Sequence, residues 1–427
     1  MFSSLGPALI VAAVVLGPGS ILTSSKVGCE YGYSMLWVLV FAALLMAGTT
    51  AISATLGQAL PRTLCEELAT RLGRPFAAFV GVTLFMIVAC FQSSNNLAVL
   101  AGVEPAFKEI SPTTGIVLLG LLNVVIVAVL FLARNLYGVV ELLMKLLVAL
   151  MAIGFAVNLA FAQPSLSAAI GGLIPQIPSG VEGGFFPTLN IEQIGNKPVK
   201  TIVDPWWAVQ GMFATTFSIA GAFYQSYLVR EKGWTRSELK TGLTDSLFGI
   251  AALGLASSMI LMTSAAVLHG QVEAASLTSA GDVAKQLEPL FGTRATALFS
   301  TGIIAGAFSS FLVNAMIGGT LLSDGFGWGA SIDSPATKWS TAIALLVGYL
   351  FAVAMNFDAF SKVDVIIFAQ ALTVLGGPVL AFALLYLSFK LERRQRAVWM
   401  SPVLVIACAV SVALAVRTAW KVWLQLS

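Results

Sequence analysis

Three helix-breaking residues in a row, Gly17, Pro18 and Gly19, interrupt an apolar run and are followed by Ser20, Thr23 and Ser24. Backbone groups freed from a helix inside a membrane must find partners, so unwound chain there is confined to places buried in protein or lined with water. Such a break offers backbone dipoles and small hydroxyls to a dissolved ion. In transporters built from two inverted repeats, a matching break opens the second half, and the substrate lies between them. The corresponding run here reads MFATTFSIAGAFYQSYLVRE, in which Gly221 and Ala222 precede Tyr224, Gln225 and Tyr227. The bland reading of Gly17-Pro18-Gly19 is a packing kink, since glycine lets helices approach closely. A second interruption at the matching place favours a site.

Other polar residues inside apolar runs carry two readings each. Asn95 and Asn96 either line a path opposite the first break or join helices as membrane amides commonly do; Ser309, Ser310 and Asn314 are similar. Gln370 is a buried amide that needs partners. Lys26 adds a full charge two turns beyond the break, but Glu30 is four residues on and is an ordinary helical partner. Glu141 and Lys145 are four apart in the same way. His269, the single histidine, reads as a pH sensor or as an interfacial hydrogen bond. Four scattered cysteines show no metal-ligand spacing, so no disulfide framework and no bound metal is expected.

The elements that position these residues are spanning helices. Of 427 residues, 58% are hydrophobic and 10% charged, with mean hydropathy +0.91; soluble domains carry about 25% charged residues. The chain is therefore an all-α polytopic membrane protein whose partner is the lipid bilayer. A span needs about 20 apolar residues, and eleven transmembrane helices are expected, near 7–29, 35–57, 76–100, 113–133, 139–162, 206–229, 244–268, 293–321, 337–356, 363–389 and 398–421. Residues 1–162 form a first five-helix repeat, the proline-rich stretch 163–205 an extracellular loop, 206–389 a second repeat, and 390–427 an additional helix 11. The N-terminus lacks a charged n-region and a cleavage site, so the first run is retained as a span. The basic clusters 230–240 and 390–396 place the N-terminus in the cytoplasm and the C-terminus outside, in a plasma (inner) membrane. A net charge of +3 gives no reason to expect a nucleic-acid partner. With one histidine and no nucleophile–base arrangement, an enzyme is not expected, and no cofactor is implied. A sensor that kept a transporter scaffold is a further reading, although such proteins usually bring a soluble domain and none is visible. A monomer is expected.

The chain resembles the Nramp (natural resistance-associated macrophage protein) divalent-metal transporters over nearly its whole length. The resemblance lies in GPALI, Pro18-Gly19, Tyr31-Gly32-Tyr33, LGQALPRTLCEEL, Asn135-Leu136 with Glu141, GLIPQIP, LEPLFG, AGAFSSFLVNAMIGGTLLSDGFG, and Ala369-Gln370 with Pro378. It implies a LeuT-like five-plus-five inverted repeat with discontinuous helices 1 and 6, and places Gln370 near the site. The departures are as informative. The family's Asp-Pro-Gly-Asn is here Gly17-Pro18-Gly19-Ser20, and its Met-Pro-His is Ala222-Phe223-Tyr224. Its acids in helix 3 are replaced by Gln92-Ser93-Ser94-Asn95-Asn96, a second helix-6 histidine by Val229, and only Lys338 lies near the start of helix 9, where the family has an arginine pair.

A dehydrated divalent cation wants anionic or soft ligands, whereas Ser20, Tyr224, Gln225, Tyr227 and Gln370 are neutral. Two helix N-termini with no opposing carboxylate favour an anion. The expectation is alternating-access transport of a small inorganic ion, with the site altered toward a small anion such as bicarbonate and without proton coupling. The alternative is a magnesium-like, hydrated divalent cation.

Overall fold

The computed structural model describes residues 17–104, 110–132, 153–178, 181, 184–194, 197–285, 292, 295–356 and 362–426. The first break opens helix α1, Pro18–Tyr31, which leads through a short turn to α2, Leu36–Ala59. A short helix α3, Leu64–Leu72, then feeds α4, Arg74–Val103. Thr63 caps α3 by accepting from Glu66 N–H at 3.3 Å, as an N-cap threonine should. Gly73 between α3 and α4 has φ +92, a conformation that favours glycine. Helix α5, Pro112–Leu132, is the least enclosed span, with Leu121, Val124, Val125 and Leu132 exposed to where lipid lies. Of the expected fifth span, helix α6, Ile153–Ala162, is described; Asn135, Leu136, Glu141 and Lys145 lie outside the described residues.

The expected loop 163–205 contains a short helix α7, Leu166–Gly171, and an antiparallel hairpin of β1, Thr188–Ile194, and β2, Lys197–Val203, with Thr188 opposite Val203. Leu189 and Ile191 alternate with polar neighbours, a two-residue period that proline counting overlooks. The sixth span is two helices, α8, Trp207–Thr216, and α9, Ile219–Glu231. Helix α10, Arg236–Val267, follows, and then a five-residue helix α11, Ala280–Ala284. The remaining spans are α12, Ala295–Phe326; α13, Pro335–Asn356; α14, Lys362–Leu372, joined through a 3-10 turn at Thr373–Gly376 to α15, Gly377–Ser388; and α16, Met400–Leu426. Among the described residues, eight spans are long and apolar enough to cross a membrane by themselves. Helices α1, α8 and α9 are each too short to cross by themselves.

Small residues set the packing, as expected where lipid supplies no hydrophobic drive between helices. α12 runs along α4, and a Cβ at Gly81 would fall 2.5 Å from Leu321 O. α9 lies against α2, where a Cβ at Gly57 would fall 2.4 Å from Ser226 O. These contacts bring α1, α4, α8, α12 and α14 around the first break.

Candidate functional site

Gly17 is extended, with φ −82 and ψ 175, and is the N-cap of α1 without a side-chain cap. Helix α1 starts at Pro18. Proline fits the first helical position because its missing N–H would be unpartnered there. Ser20 N–H donates to Gly17 O at 3.1 Å and Ile21 N–H to the same oxygen at 3.4 Å. With Pro18 lacking a donor, Gly19 N–H is the amide left at this end. The Gln370 side chain lies against Gly19 itself, its Cδ 2.6 Å from where a Cβ would stand.

A narrow gap beside the break is lined by Gly17, Ser20, Phe91, Asn95, Thr215, Ser310 and Gln370. In the described state it has no room for a free water molecule. Its amide groups are ordered by a chain of bonds. Gln92 Nε2 donates to Phe311 O at 2.5 Å, and a carbonyl can only accept, so Gln92 Oε1 faces Asn95. That oxygen accepts from Asn95 Nδ2 at 3.1 Å. Asn95 therefore turns Oδ1 toward the break, 3.9 Å from where a Gly17 Cβ would stand. Gln370 Nε2 donates to Ser94 Oγ at 2.8 Å, and its Oε1 has no partner. The gap thus presents carbonyl-type acceptors and hydroxyls, with the amide donors engaged behind them.

The second break falls at Phe217 and Ser218, three residues before the expected Gly221. Ser218 Oγ caps α9 by accepting from Gly221 N–H at 3.2 Å. This end of the chain is therefore not an open donor set, as the anion expectation required. A second cavity of about 20 Å³, the size of one water, lies between this break and the turn at Thr373–Gly376, and Phe91 lines both spaces.

The expected site residues divide. Gly17, Ser20, Asn95 and Gln370 line the gap, Gly19 lies against Gln370, and Pro18 does not line it. Thr23 Oγ1 donates to Gly19 O at 2.7 Å, within its own helix, and Ser24 Oγ is buried without a partner. Lys26 is half-buried two turns on and does not line the gap. Asn96 donates to Gln92 O at 2.8 Å and accepts from Asn123 Nδ2 at 2.7 Å, which joins helices. Gly221 and Ala222 are buried past the second break. Gln225 Nε2 donates to Ser246 Oγ at 3.1 Å on α10. Tyr224 and Tyr227 stack nearly parallel, 6.0 Å apart, further along α9. His269 Nδ1 bonds with Cys29 O at 2.8 Å, the interfacial alternative of its two readings.

Sequence reasoning overlooked Thr215 and Phe91, which carry no charge or spacing signal, and Asp324, an acid near the end of α12 that is 1% exposed. Arg417 and Lys421 lie near the end of α16. Both are buried against Asp204: the Arg417 guanidinium donates to Asp204 Oδ1, Gln210 Oε1 and Phe185 O, and Lys421 Nζ is 3.0 Å from Asp204 Oδ2. Two bases four apart on a span, with an acid just before the sixth, were the available signal.

The family model described as "Natural resistance-associated macrophage protein-like" matches residues 8–422. The chain is 25% identical over 400 residues to the protein named divalent metal cation transporter MntH of Deinococcus radiodurans, covering 92% of this chain and 82% of that one. It is 27% identical over 319 residues to the protein of that name from Aeromonas hydrophila, covering 74% and 71%. Among solved structures, an Eremococcus coleocola manganese transporter aligns with TM-score 0.76 at 17% identity, over 97% of this chain and 85% of that chain. MhsT in complex with L-phenylalanine aligns with TM-score 0.60 at 14% identity, over 97% and 98%. These neighbours share the LeuT-like fold expected from the sequence.

Proposed function

The chain belongs to the Nramp family of multi-pass membrane transporters and is not an enzyme, and from that premise we propose that its cargo is a hydrated divalent metal cation, magnesium-like in character. The observation that carries this reading is the orientation of Asn95. Its donor is held by Gln92 and its Oδ1 faces the break, so the gap offers oxygen lone pairs to a cation. Magnesium loses its waters reluctantly and is commonly held through them. Neutral oxygens that accept from a water shell suit that habit, whereas a bare transition metal would want the carboxylate and thioether that Gly17 and Ala222 replace. The relatives' names, which refer to divalent metal cations, support the same class.

A small anion such as bicarbonate is the second reading, favoured by one observation: among the described residues no carboxylate lines the gap. Against it stand the Ser218 cap on α9 and the few free donors at α1. The basic clusters at 230–240 and 390–396 support a cytoplasmic N-terminus in a plasma membrane. With no acid among the described residues of the gap, transport proceeds without proton coupling.

Gly17→Asp tests the cargo. A Cβ there stands 2.8 Å from Ser310 Oγ, which can turn aside. Flux into proteoliposomes is followed for Mg²⁺ and for bicarbonate, with a pH dye in the lumen. The expected outcome is a lower half-saturation for Mg²⁺ in the variant and no acidification in step with uptake. Wild-type bicarbonate flux that the variant abolishes, with no Mg²⁺ flux in either, would overturn the cation reading.

A further inference from the structure

Asp324 shares one face of α12 with Ser310, which lines the gap. At 100° per residue, Ser310, Thr320 and Asp324 fall within about 80° of one another; this face is about 21 Å long and also carries Val313 and Ile317 between Ser310 and Thr320. Ser310 closes over Gly17 at its upper end. Tyr224 and Thr320 are both fully buried, and their hydroxyls lie near one another without closing a hydrogen bond. One turn further, Tyr227 O–H donates to Asp324 Oδ2 at 2.7 Å, and Cys65 N–H donates to the Tyr227 oxygen at 3.2 Å. The nearby base, Arg74, is occupied elsewhere: it reaches the Asp324 backbone carbonyl at 3.2 Å and holds Glu66 at 2.8 and 3.0 Å. Among the described residues no base forms a direct ion pair with the Asp324 carboxylate, although Arg74 attracts it from further off and the Thr63 side chain is a second hydrogen-bond partner. A buried carboxylate with no base in direct contact is costly, and two unbonded hydroxyls one turn above it add to that cost.

We propose that Asp324, with Tyr227, Tyr224 and Thr320, forms a second cation station between the gap and the end of the bundle closed by α3. It takes a divalent cation with its water shell, the carboxylate supplying charge and the three hydroxyls accepting from the shell. The Tyr227 O–H turns from Asp324 as the cation arrives. This rests on the cation reading of the gap. The station supplies the charge that the gap lacks, so a cation weakly held at Gly17 is drawn along α12 toward α3.

The test is Mg²⁺ binding to the purified full-length protein by calorimetry, together with Mg²⁺ flux in proteoliposomes. Wild type is compared with Asp324→Asn, Asp324→Glu and Thr320→Val. The expected result is two classes of bound Mg²⁺ in wild type. Asp324→Asn loses one class and at least tenfold of the flux at low Mg²⁺, Asp324→Glu restores most of both, and Thr320→Val weakens the same class two- to fivefold. Should Asp324→Asn fail to fold, the Thr320→Val shift alone decides. An Asp324→Asn protein that keeps both classes, or that transports as fast or faster, makes the residue a latch and overturns the station while leaving the gap's cargo standing. A wild type that neither binds nor carries Mg²⁺ overturns the cargo and the station together.

Discussion

At the scale of single residues, the gap depends on the absence of side chains as much as on their presence. Gly19 lets the Gln370 amide lie across the start of α1, where a Cβ would come within 2.6–2.7 Å of Gln370 Cγ, Cδ and Nε2. Gly19→Ala must therefore push Gln370 away and break its bond to Ser94. A hydrogen bond of this kind contributes about 1 kcal/mol, so half-saturation for the transported ion should rise about fivefold. In a Gln370→Ala background the added methyl has nothing to displace, and Gly19→Ala should then have little further effect. Flux measured across this double-mutant cycle checks the coupling; equal effects in both backgrounds would show that Gly19 acts through the backbone alone. The break itself was legible, because three helix breakers in succession leave a membrane span little choice but to unwind. Which way Asn95 faces was not, since it follows from a carbonyl on α12, 216 residues further along the chain at Phe311.

At the scale of elements, the break in the sixth span was legible, but it falls three residues before Gly221. In the first span, Pro18 at the first helical position decides where α1 starts. In the sixth, the glycine is conspicuous and the serine three residues earlier is not, yet Ser218 sets the helix by capping Gly221 N–H. That shift changes the chemistry, because a capped end offers an anion less than a bare one. Ser218→Ala should lower stability by about 1 kcal/mol, the usual worth of an N-cap serine. It also frees Gly221 N–H. A lowered thermal midpoint with unchanged Mg²⁺ half-saturation is the expected pair of results, while a change in half-saturation alone would mean that the cap contacts the cargo. The hairpin at 188–203 was missed because proline and glycine counts dominate that stretch and conceal the alternation within it.

At the scale of the whole molecule, the two ends of the bundle are bridged by different chemistry. At one end Tyr227 and Asp324 join α9 to α12, and Arg230 reaches Leu60 O at 2.9 Å and Pro61 O at 3.0 Å beyond α2. At the other, Asp204 binds Arg417 and Lys421 of α16, Tyr31 O–H at the end of α1 donates to Pro205 O, and Lys421 Nζ sits 3.5 Å over the Trp207 ring at the start of α8. The last helix, which composition alone presents as an appendage, is thereby fastened to both interrupted spans. With both ends joined, the gap between them is too narrow for water, so transport requires one set of bridges to open. The Asp204 group is the costlier to disturb. The Arg417 side chain is 1% exposed and that of Asp204 3%, and removing one partner of a buried ion pair typically costs about 3–5 kcal/mol because the other charge is stranded. Asp204→Asn should therefore lower the thermal midpoint sharply, and far more than any change at the gap. Asp204→Asn strands both Arg417 and Lys421, so the triple variant Asp204→Asn, Arg417→Gln, Lys421→Gln, which removes both charges, should recover much of the loss. A single variant as stable as wild type would mean that water reaches this cluster and that α16 is held by packing alone.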